Sequence, residues 1–314
     1  MKKTAIYIFS YNRPKHLSNC LDTIKEIGIN IPVFVVDDNS EDIDLQKLLA
    51  SLPKGVLQIK VSADIEHKIY GGLYFNMNIA LDHAIKEHYE YAIFIQDDTQ
   101  FVRRPTEEDF LRIERFFIEN DDSFEILVGF EKRRHIKSRN HYDASRTPDF
   151  KFRTATHQGH KGFCDVGLFH VARVRERIGG FLNGERENEV EALSRKIRLG
   201  IYNFPFMMWL PFPSAVRSKQ QSRLVNLSDR LSGAGCHPIQ LMSIDAERRL
   251  FECSSYVLPR YAEDWLICET IPHKQDWSTE GAFANLIVYG GVRAILGRIF
   301  AFLYSGFRKL GIRL

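Results

Sequence analysis

Thr4-Ala5-Ile6-Tyr7-Ile8-Phe9-Ser10-Tyr11-Asn12-Arg13-Pro14 is a short apolar run that stops on polar residues. Ala5 to Phe9 is too short for the apolar region of a secretory signal, even behind Met1-Lys2-Lys3, and Ser10 to Pro14 breaks it. A run of this length suits a buried β-strand. Leu17, Cys20, Leu21 and Ile24 then recur at helical spacing, with Pro14 fit for the first turn and Gly28 for the end. Outward from there the alternation continues. Pro32 to Asp37 and Val56 to Val61 are β-branched runs. Met77, Ala80, Leu81, Ala84 and Ile85 mark a helix, and Tyr91 to Ile95 is a fourth strand ending in Gln96-Asp97-Asp98-Thr99. This βαβα order predicts an α/β fold with a mainly parallel sheet flanked by helices. Ligands of such sheets bind beyond the carboxyl ends of the strands. Ser10 to Arg13, Asp37 to Asp42 and Asp97-Asp98 all fall at those ends.

Farther along, Phe110 to Ile118 reads as a helix and Glu125 to Phe130 as a strand. Residues 132–161 read as a loop carrying nine basic residues against two acids, Asp143 and Asp149, which suits an anionic acceptor or a membrane surface. A helix over 186–199 closed by Gly200 and a strand over 201–210 follow, and residues 226–280 give weak signals. Leu286 to Tyr304 is apolar but interrupted by Arg293 and Arg298, which suits a helix lying in a membrane interface better than one crossing it. A net charge of +3 over 314 residues gives no reason to expect nucleic acid as a partner. The five cysteines contain no C-x-x-C pair, which excludes a zinc ribbon and a disulfide framework and predicts reduced thiols in the cytoplasm.

Three clusters could carry chemistry, although each taken alone also reads as an ordinary turn or helix start. Asp97 and Asp98 at a strand end repel each other and gain from a cation, for which carboxylate oxygens select Mg²⁺ or Mn²⁺. Within Val35-Val36-Asp37-Asp38-Asn39-Ser40-Glu41-Asp42, an Asp at the strand end can accept from a base N–H, as from uracil. In Asn188-Glu189-Val190-Glu191 the expected packing face is Val190, Leu193 and Ile197. That puts Glu189 beside a buried edge near a helix N-terminus, where it could deprotonate an acceptor hydroxyl.

Read serially, Phe9-Ser10-Tyr11-Asn12-Arg13, Val36-Asp37-Asp38-Asn39-Ser40, Asn78 and Phe94-Ile95-Gln96-Asp97-Asp98 resemble the donor-binding half of a family 2-like glycosyltransferase with a GT-A fold. Gly167-Leu168-Phe169, Ile178-Gly179-Gly180-Phe181 and Asn188-Glu189-Val190-Glu191 with Arg195 and Gly200 resemble its acceptor side, and the likeness covers about residues 4–215. It implies a GT-A, Rossmann-like mixed sheet with a C-terminal helical extension. The implied division is a nucleotide-sugar half over 1–105, an acceptor half over 106–225, an extension over 226–282 and an amphipathic, membrane-associated helix over 283–314. The implied reaction is inverting transfer from a nucleotide-sugar, with a UDP-sugar favoured, to a glycan or lipid-linked acceptor in cell-surface glycan synthesis at the inner face of the cytoplasmic membrane. Asp38 would hold the base, with Ser10, Asn12, Arg13 and Asn78 on the donor side. Asp98 would bind Mn²⁺ or Mg²⁺, with Asp97 near the ribose or metal, and Glu189 would be the base. Arg217 and, more loosely, His237 are candidates for the diphosphate. Three departures stand out: Gln96 for the first acid of the D-x-D motif, Met77 where an Arg is common, and Asn188 for the first acid of a Glu-Asp pair. The competing readings are an inactive nucleotide-sugar binder and a nucleotidyltransferase. The latter usually needs a Gly-rich phosphate loop, which Ser10 to Pro14 lacks, and a dehydrogenase would need G-x-G-x-x-G.

Overall fold

The computed structural model describes residues 3–61, 72–133, 142–144, 149–153, 162–214, 233–253, 260–271 and 277. The opening stretch forms β1 (Thr4–Ser10), every residue buried, and α1 (Pro14–Glu26). There follow β2 (Val33–Asp37), α2 (Ile43–Ala50), β3 (Val56–Ile59), α3 (Leu73–Lys86), β4 (Tyr91–Gln96) and β5 (Thr99–Phe101). Among the described residues one nine-stranded sheet runs β3-β2-β1-β4-β9-β6-β10-β8-β7, where β6 is Glu125–Leu127, β7 Tyr142–Ala144, β8 Phe150–Arg153, β9 Gly167–His170 and β10 Gly200–Tyr202. Its first four strands are parallel, β9 runs antiparallel between β4 and β6, and the far edge alternates. The expected mixed α/β architecture is therefore present, with parallel pairing concentrated in the first hundred residues.

Strand alternation divides the core. Ile6, Ile8, Val33, Val35, Ile93 and Ile95 pack with Leu17, Cys20, Leu21 and Ile24 of α1. Tyr7, Phe9, Phe34, Val36 and Phe94 pack on the other face with Met77, Ala80, Leu81 and Ala84 of α3. Burying both faces is why these strands read as continuous apolar runs rather than alternating ones.

The middle of the chain departs from expectation. The helix read over 110–118 is α4 (Glu107–Glu119), extended by a capping box between Thr106 and Asp109. The strand read over 201–210 is two strands in different sheets, β10 and β11 (Met207–Trp209), the latter antiparallel to β5. Pro205 lies in the break, and a proline cannot donate to a ladder. The strand read over 125–130 leaves the main sheet after Leu127, and Phe130 donates instead to the Met207 carbonyl at 2.9 Å. After α5 (Val171–Ile178), the helix read over 186–199 is α6 (Glu185–Ser194), so Gly200 does not cap it. Gly200 opens β10, where a Cβ would meet the Phe116 ring at 2.5 Å. Two further helices, α7 (Ile244–Glu252) and α8 (Ala262–Trp265), follow later in the chain. The apolar tail lies outside the described residues, and among those that are described no helix is long and apolar enough to cross a membrane.

Candidate active site at the carboxyl edge of the sheet

The chain winds outward from β1 to β3 and then crosses back to place β4 on the other side of β1. That reversal opens a crevice at the carboxyl ends of β1 and β4, the general ligand position of open α/β sheets. Ser10 to Arg13 and Asp97-Asp98 meet there. The Asp turn is fixed on both sides: Asp97 N–H donates to the Phe9 carbonyl at 2.9 Å, and Leu210 N–H donates to the Asp98 carbonyl at 2.7 Å. The Arg13 guanidinium spans the pair, donating to Asp98 Oδ2 at 2.9 Å and lying 2.5 Å from Asp97 Oδ1. Burial pushes the Asp97 carboxyl up to about 7 despite the pull of Arg13, and the charge of Asp98 adds to the rise. Both carboxylates together hold the Arg13 guanidinium above its usual value. One turn into α1, buried His16 is pushed down to about 4 by burial and by Arg13, so it is neutral near pH 7.

On the donor side the Asp37 to Asp42 cluster divides its labour. Asp37 accepts from Ser40 N–H at 2.8 Å and Ser40 Oγ at 2.6 Å, closing the turn after β2. Asp42 caps α2 through Asp44 and Leu45 N–H. Asn12, at φ 49°, donates its N–H to Ser40 Oγ, and its side-chain carbonyl accepts from Glu41 and Asp42 N–H. Asn12 therefore staples the β1 loop to the β2 loop. Buried Asp38 donates its N–H to the Ser10 carbonyl and accepts from Gly72 N–H at 2.8 Å and Asn76 Nδ2 at 3.2 Å, which ties β2 to the start of α3. Ser10 is buried at the floor.

Asn78 is placed elsewhere. Its amide donates to the Phe181 carbonyl at 2.8 Å and accepts Phe181 N–H at 2.8 Å, so it fastens α3 to the loop before α6. Gly180, at φ 148°, lies beneath it, where a Cβ would meet Asn78 Oδ1 at 2.7 Å. The α3 residue that reaches the Asp38 cluster is Asn76, two positions earlier, which the motif alone does not single out.

On the acceptor side the expected packing face of α6 is corrected. Val190 is 50% exposed, and the inward residues are Asn188 and Ala192. Asn188 is a clamp: it accepts Leu182 N–H and donates to the Leu182 and Gly184 carbonyls, all within 2.8 Å. Glu185 and Glu189, one turn apart, both act electrostatically on Tyr74 of α3. Asp165, just before β9, also acts on Tyr74 and accepts from Gln96 Nε2 at 2.8 Å. Burial, then Glu185, then Asp98 push the Asp165 carboxyl up to about 7. Asp38 is thus tied to the β1 loop and Arg13 of that loop to Asp98, while Asp165, Glu185 and Glu189 all act on Tyr74. Asp165 is a candidate site residue that the motif reading did not single out. It supplies a carboxylate beside Gln96, at a position only the antiparallel insertion of β9 brings near.

Among the described residues, the buried polar atoms without a hydrogen-bond partner include Ser10 Oγ, Arg13 Nε, His16 Nε2, Asp98 Oδ1, Thr99 Oγ1 and Lys132 Nζ. A buried, unpaired carboxylate oxygen beside a second carboxylate fits a hard divalent cation. Among the described residues no group of three or more His, Cys, Asp or Glu could hold a metal alone, so Asp98 would share the ion with substrate oxygens and water. His237 is tied to Thr270 and to the Gly233 carbonyl, both at 2.8 Å. Arg217 lies outside the described residues.

The model of glycosyl transferase family 2 matches residues 5–175, more than half of the chain. The chain belongs to glycosyl transferase family 2. That match takes in β1 through β9 and most of α5, hence the switch point and Asp165, and stops before α6. No curated protein matches the chain. Among solved structures, TarS of S. aureus is similar at 16% identity and a TM-score of 0.43 over 74% of this chain, which spans 38% of TarS. A cytidylyltransferase from Leptospira borgpetersenii is similar at 15% identity and a TM-score of 0.38, over 74% of this chain and 85% of that one. A mannose-1-phosphate geranyltransferase from Thermus thermophilus gives 11% identity and a TM-score of 0.39, over 64% and 73% of the two chains. Membership in family 2 rests on the domain match, not on these likenesses.

Proposed function

We propose that this family 2 protein is an inverting glycosyltransferase. In this reading it moves a hexosyl or N-acetylhexosaminyl group from a nucleoside-diphosphate sugar, with a UDP-sugar favoured, to a hydroxyl of a glycan or lipid-linked acceptor in cell-surface glycan synthesis of the lipopolysaccharide or capsule type. The observation that carries the reading is the Asp97-Asp98 pair held on Arg13 at the switch point, with one buried Asp98 oxygen unpaired. Residues 1–105 bind the donor, with Asp38 toward the base and Ser10, Asn12 and Arg13 shaping the pocket floor. Residues 106–225 present the acceptor, residues 226–282 are an extension, and residues 283–314 bring the enzyme to the inner face of the cytoplasmic membrane. Arg217 is the residue assigned to the diphosphate in this reading, and Asn78 supports the donor half by fastening α3 to Phe181.

Glu189 takes the proton of the acceptor hydroxyl as its oxygen attacks the anomeric carbon from the face opposite the diphosphate. The bond from that carbon to the diphosphate oxygen breaks, its electron pair leaves with the nucleoside diphosphate, and the configuration inverts. Arg13 keeps the two carboxylates at fixed spacing, and Asp97 stands beside the ribose or the ion. A divalent ion at Asp98, Mn²⁺ or Mg²⁺, supplies positive charge to the departing diphosphate.

A thermal-shift panel of nucleotide-sugars with and without Mn²⁺ tests the donor and the ion together. The expected result is a metal-dependent rise for one donor; no response to any nucleotide sinks the reading. For the base, Glu189→Gln should cut transfer by roughly 10²–10⁴-fold while donor binding persists. Loss of transfer in Glu185→Gln or Asp165→Asn, with Glu189→Gln fully active, would move the role to the other carboxylate.

A further inference from the structure

Lys132 follows β6 in an extended segment that is held on both sides. Glu131 N–H donates to the Arg260 carbonyl at 3.0 Å, Ala262 N–H donates to the Glu131 carbonyl at 2.8 Å, and Arg133 N–H donates to Glu263 at 3.0 Å. Glu131 points to Tyr142, Lys151 and Arg153, and Arg133 pairs with Asp264. Two residues earlier Phe130 N–H donates to the Met207 carbonyl of β11, and Leu210, just past β11, holds the Asp98 carbonyl, so β11 lies between the Lys132 segment and the Asp turn. Asp98 and then Glu263 are the anions that act on Lys132.

Two other buried cations, by contrast, are paired with carboxylates: Arg103 forms two 2.8 Å bonds to Asp109, and Lys151 lies 3.4 Å from Glu131. Lys132 is 1% exposed, and among the described residues its Nζ has no hydrogen-bond partner. Burial pushes its ammonium down to about 7, so near neutral pH it stands between the charged and neutral forms. A core that merely needed volume at this position would be more stable with Met or Leu. A buried amine without a partner, beside the carboxylate that suits a metal ion, is a feature kept at a cost in stability, as functional groups often are.

We infer that Lys132 is an anion contact of the reaction site, its ammonium taking a phosphate oxygen of the donor's diphosphate alongside Asp98. Resting on the glycosyl-transfer reading, this assignment places a second protein cation near the leaving group, approached from the acceptor half of the sheet. The same chemistry could come from a phosphorylated acceptor, so the test separates the two sources.

The full chain is titrated calorimetrically with UDP, GDP, CDP and ADP and with the matching nucleosides, in Mn²⁺, as wild type, Lys132→Met and Lys132→Arg. Lys132→Met should weaken the preferred diphosphate by about 10- to 100-fold, leave the nucleoside unchanged, and raise the Tm of the unliganded protein by about 2 °C or more. Lys132→Arg should keep part of the diphosphate affinity. A diphosphate affinity equal to wild type overturns the assignment, as does a defect confined to the KM of a phosphorylated acceptor. A fall in Tm with parallel loss of nucleoside binding overturns it too, because it marks Lys132 as structural. If wild type binds no nucleoside diphosphate, the glycosyl-transfer reading itself fails.

Discussion

Replacing Arg13 by glutamine removes the one guanidinium that spans Asp97 and Asp98 and leaves two adjacent carboxylates, one fully buried and one nearly so. Breaking a buried ion pair by deleting one partner costs about 3–5 kcal/mol. The Arg13 and Asp98 side chains are 15% and 11% exposed, so some solvent screens the loss, and about 3 kcal/mol at pH 8 is expected. For a chain of this size that lowers Tm by roughly 6–10 °C. The loss must also depend on pH. Asp97 already sits at about 7 with Arg13 present, and without Arg13 it rises further. Acid therefore protonates it in the folded variant and removes the uncompensated charge. The defect should shrink to about 1 kcal/mol by pH 5.5, measured by urea unfolding at both pH values. Mn²⁺ should protect the variant more than wild type, because Asp98 Oδ2 is released from Arg13. A loss below about 1 kcal/mol at pH 8, or one that grows in acid, would refute the idea that Arg13 compensates a buried carboxylate pair.

Two further outcomes follow from the same geometry. Asn188→Asp restores the acid usual in the family, yet it turns a donating NH₂ into an oxygen facing the Leu182 and Gly184 carbonyls. It should cost about 2–3 kcal/mol in denaturant unfolding and should not raise activity. Asp165→Asn tests the raised carboxyl before β9. In wild type the folded state binds the extra proton between about pH 4 and 7, so this group lowers stability as pH rises through that window. Asn should therefore stabilise the unliganded protein by about 1 kcal/mol or more at pH 8 and change nothing near pH 4, as read from Tm across pH.

Much of the first hundred residues, the proposed donor half, was legible because its signals are local. Continuous apolar runs marked β1, β2 and β4, since strands buried on both faces need no alternation, and polar clusters marked their carboxyl ends. The acceptor half was harder. Val190, Leu193 and Ile197 have helical spacing, but α6 stops at Ser194 and turns Asn188 and Ala192 inward. Tertiary clamps at Leu182 and Gly184 decide that rotation, and no spacing encodes them. Gly200 looked like a helix cap, and the Phe116 ring is its reason instead. Pro205 was the readable warning that residues 201–210 could not be one strand.

By itself the sequence determined the order of strands and helices, the wound α/β class and the placement of Asp38 and Asp98 at strand ends, because burial pattern and turn chemistry act over a few residues. Only the tertiary structure decided which side chains share the crevice. It brought Asp165 to Gln96 by running β9 antiparallel beside β4, and it tied Asn78 to Phe181. Those choices depend on pairing between segments dozens of residues apart, where the free energy lies in contacts that no local pattern records.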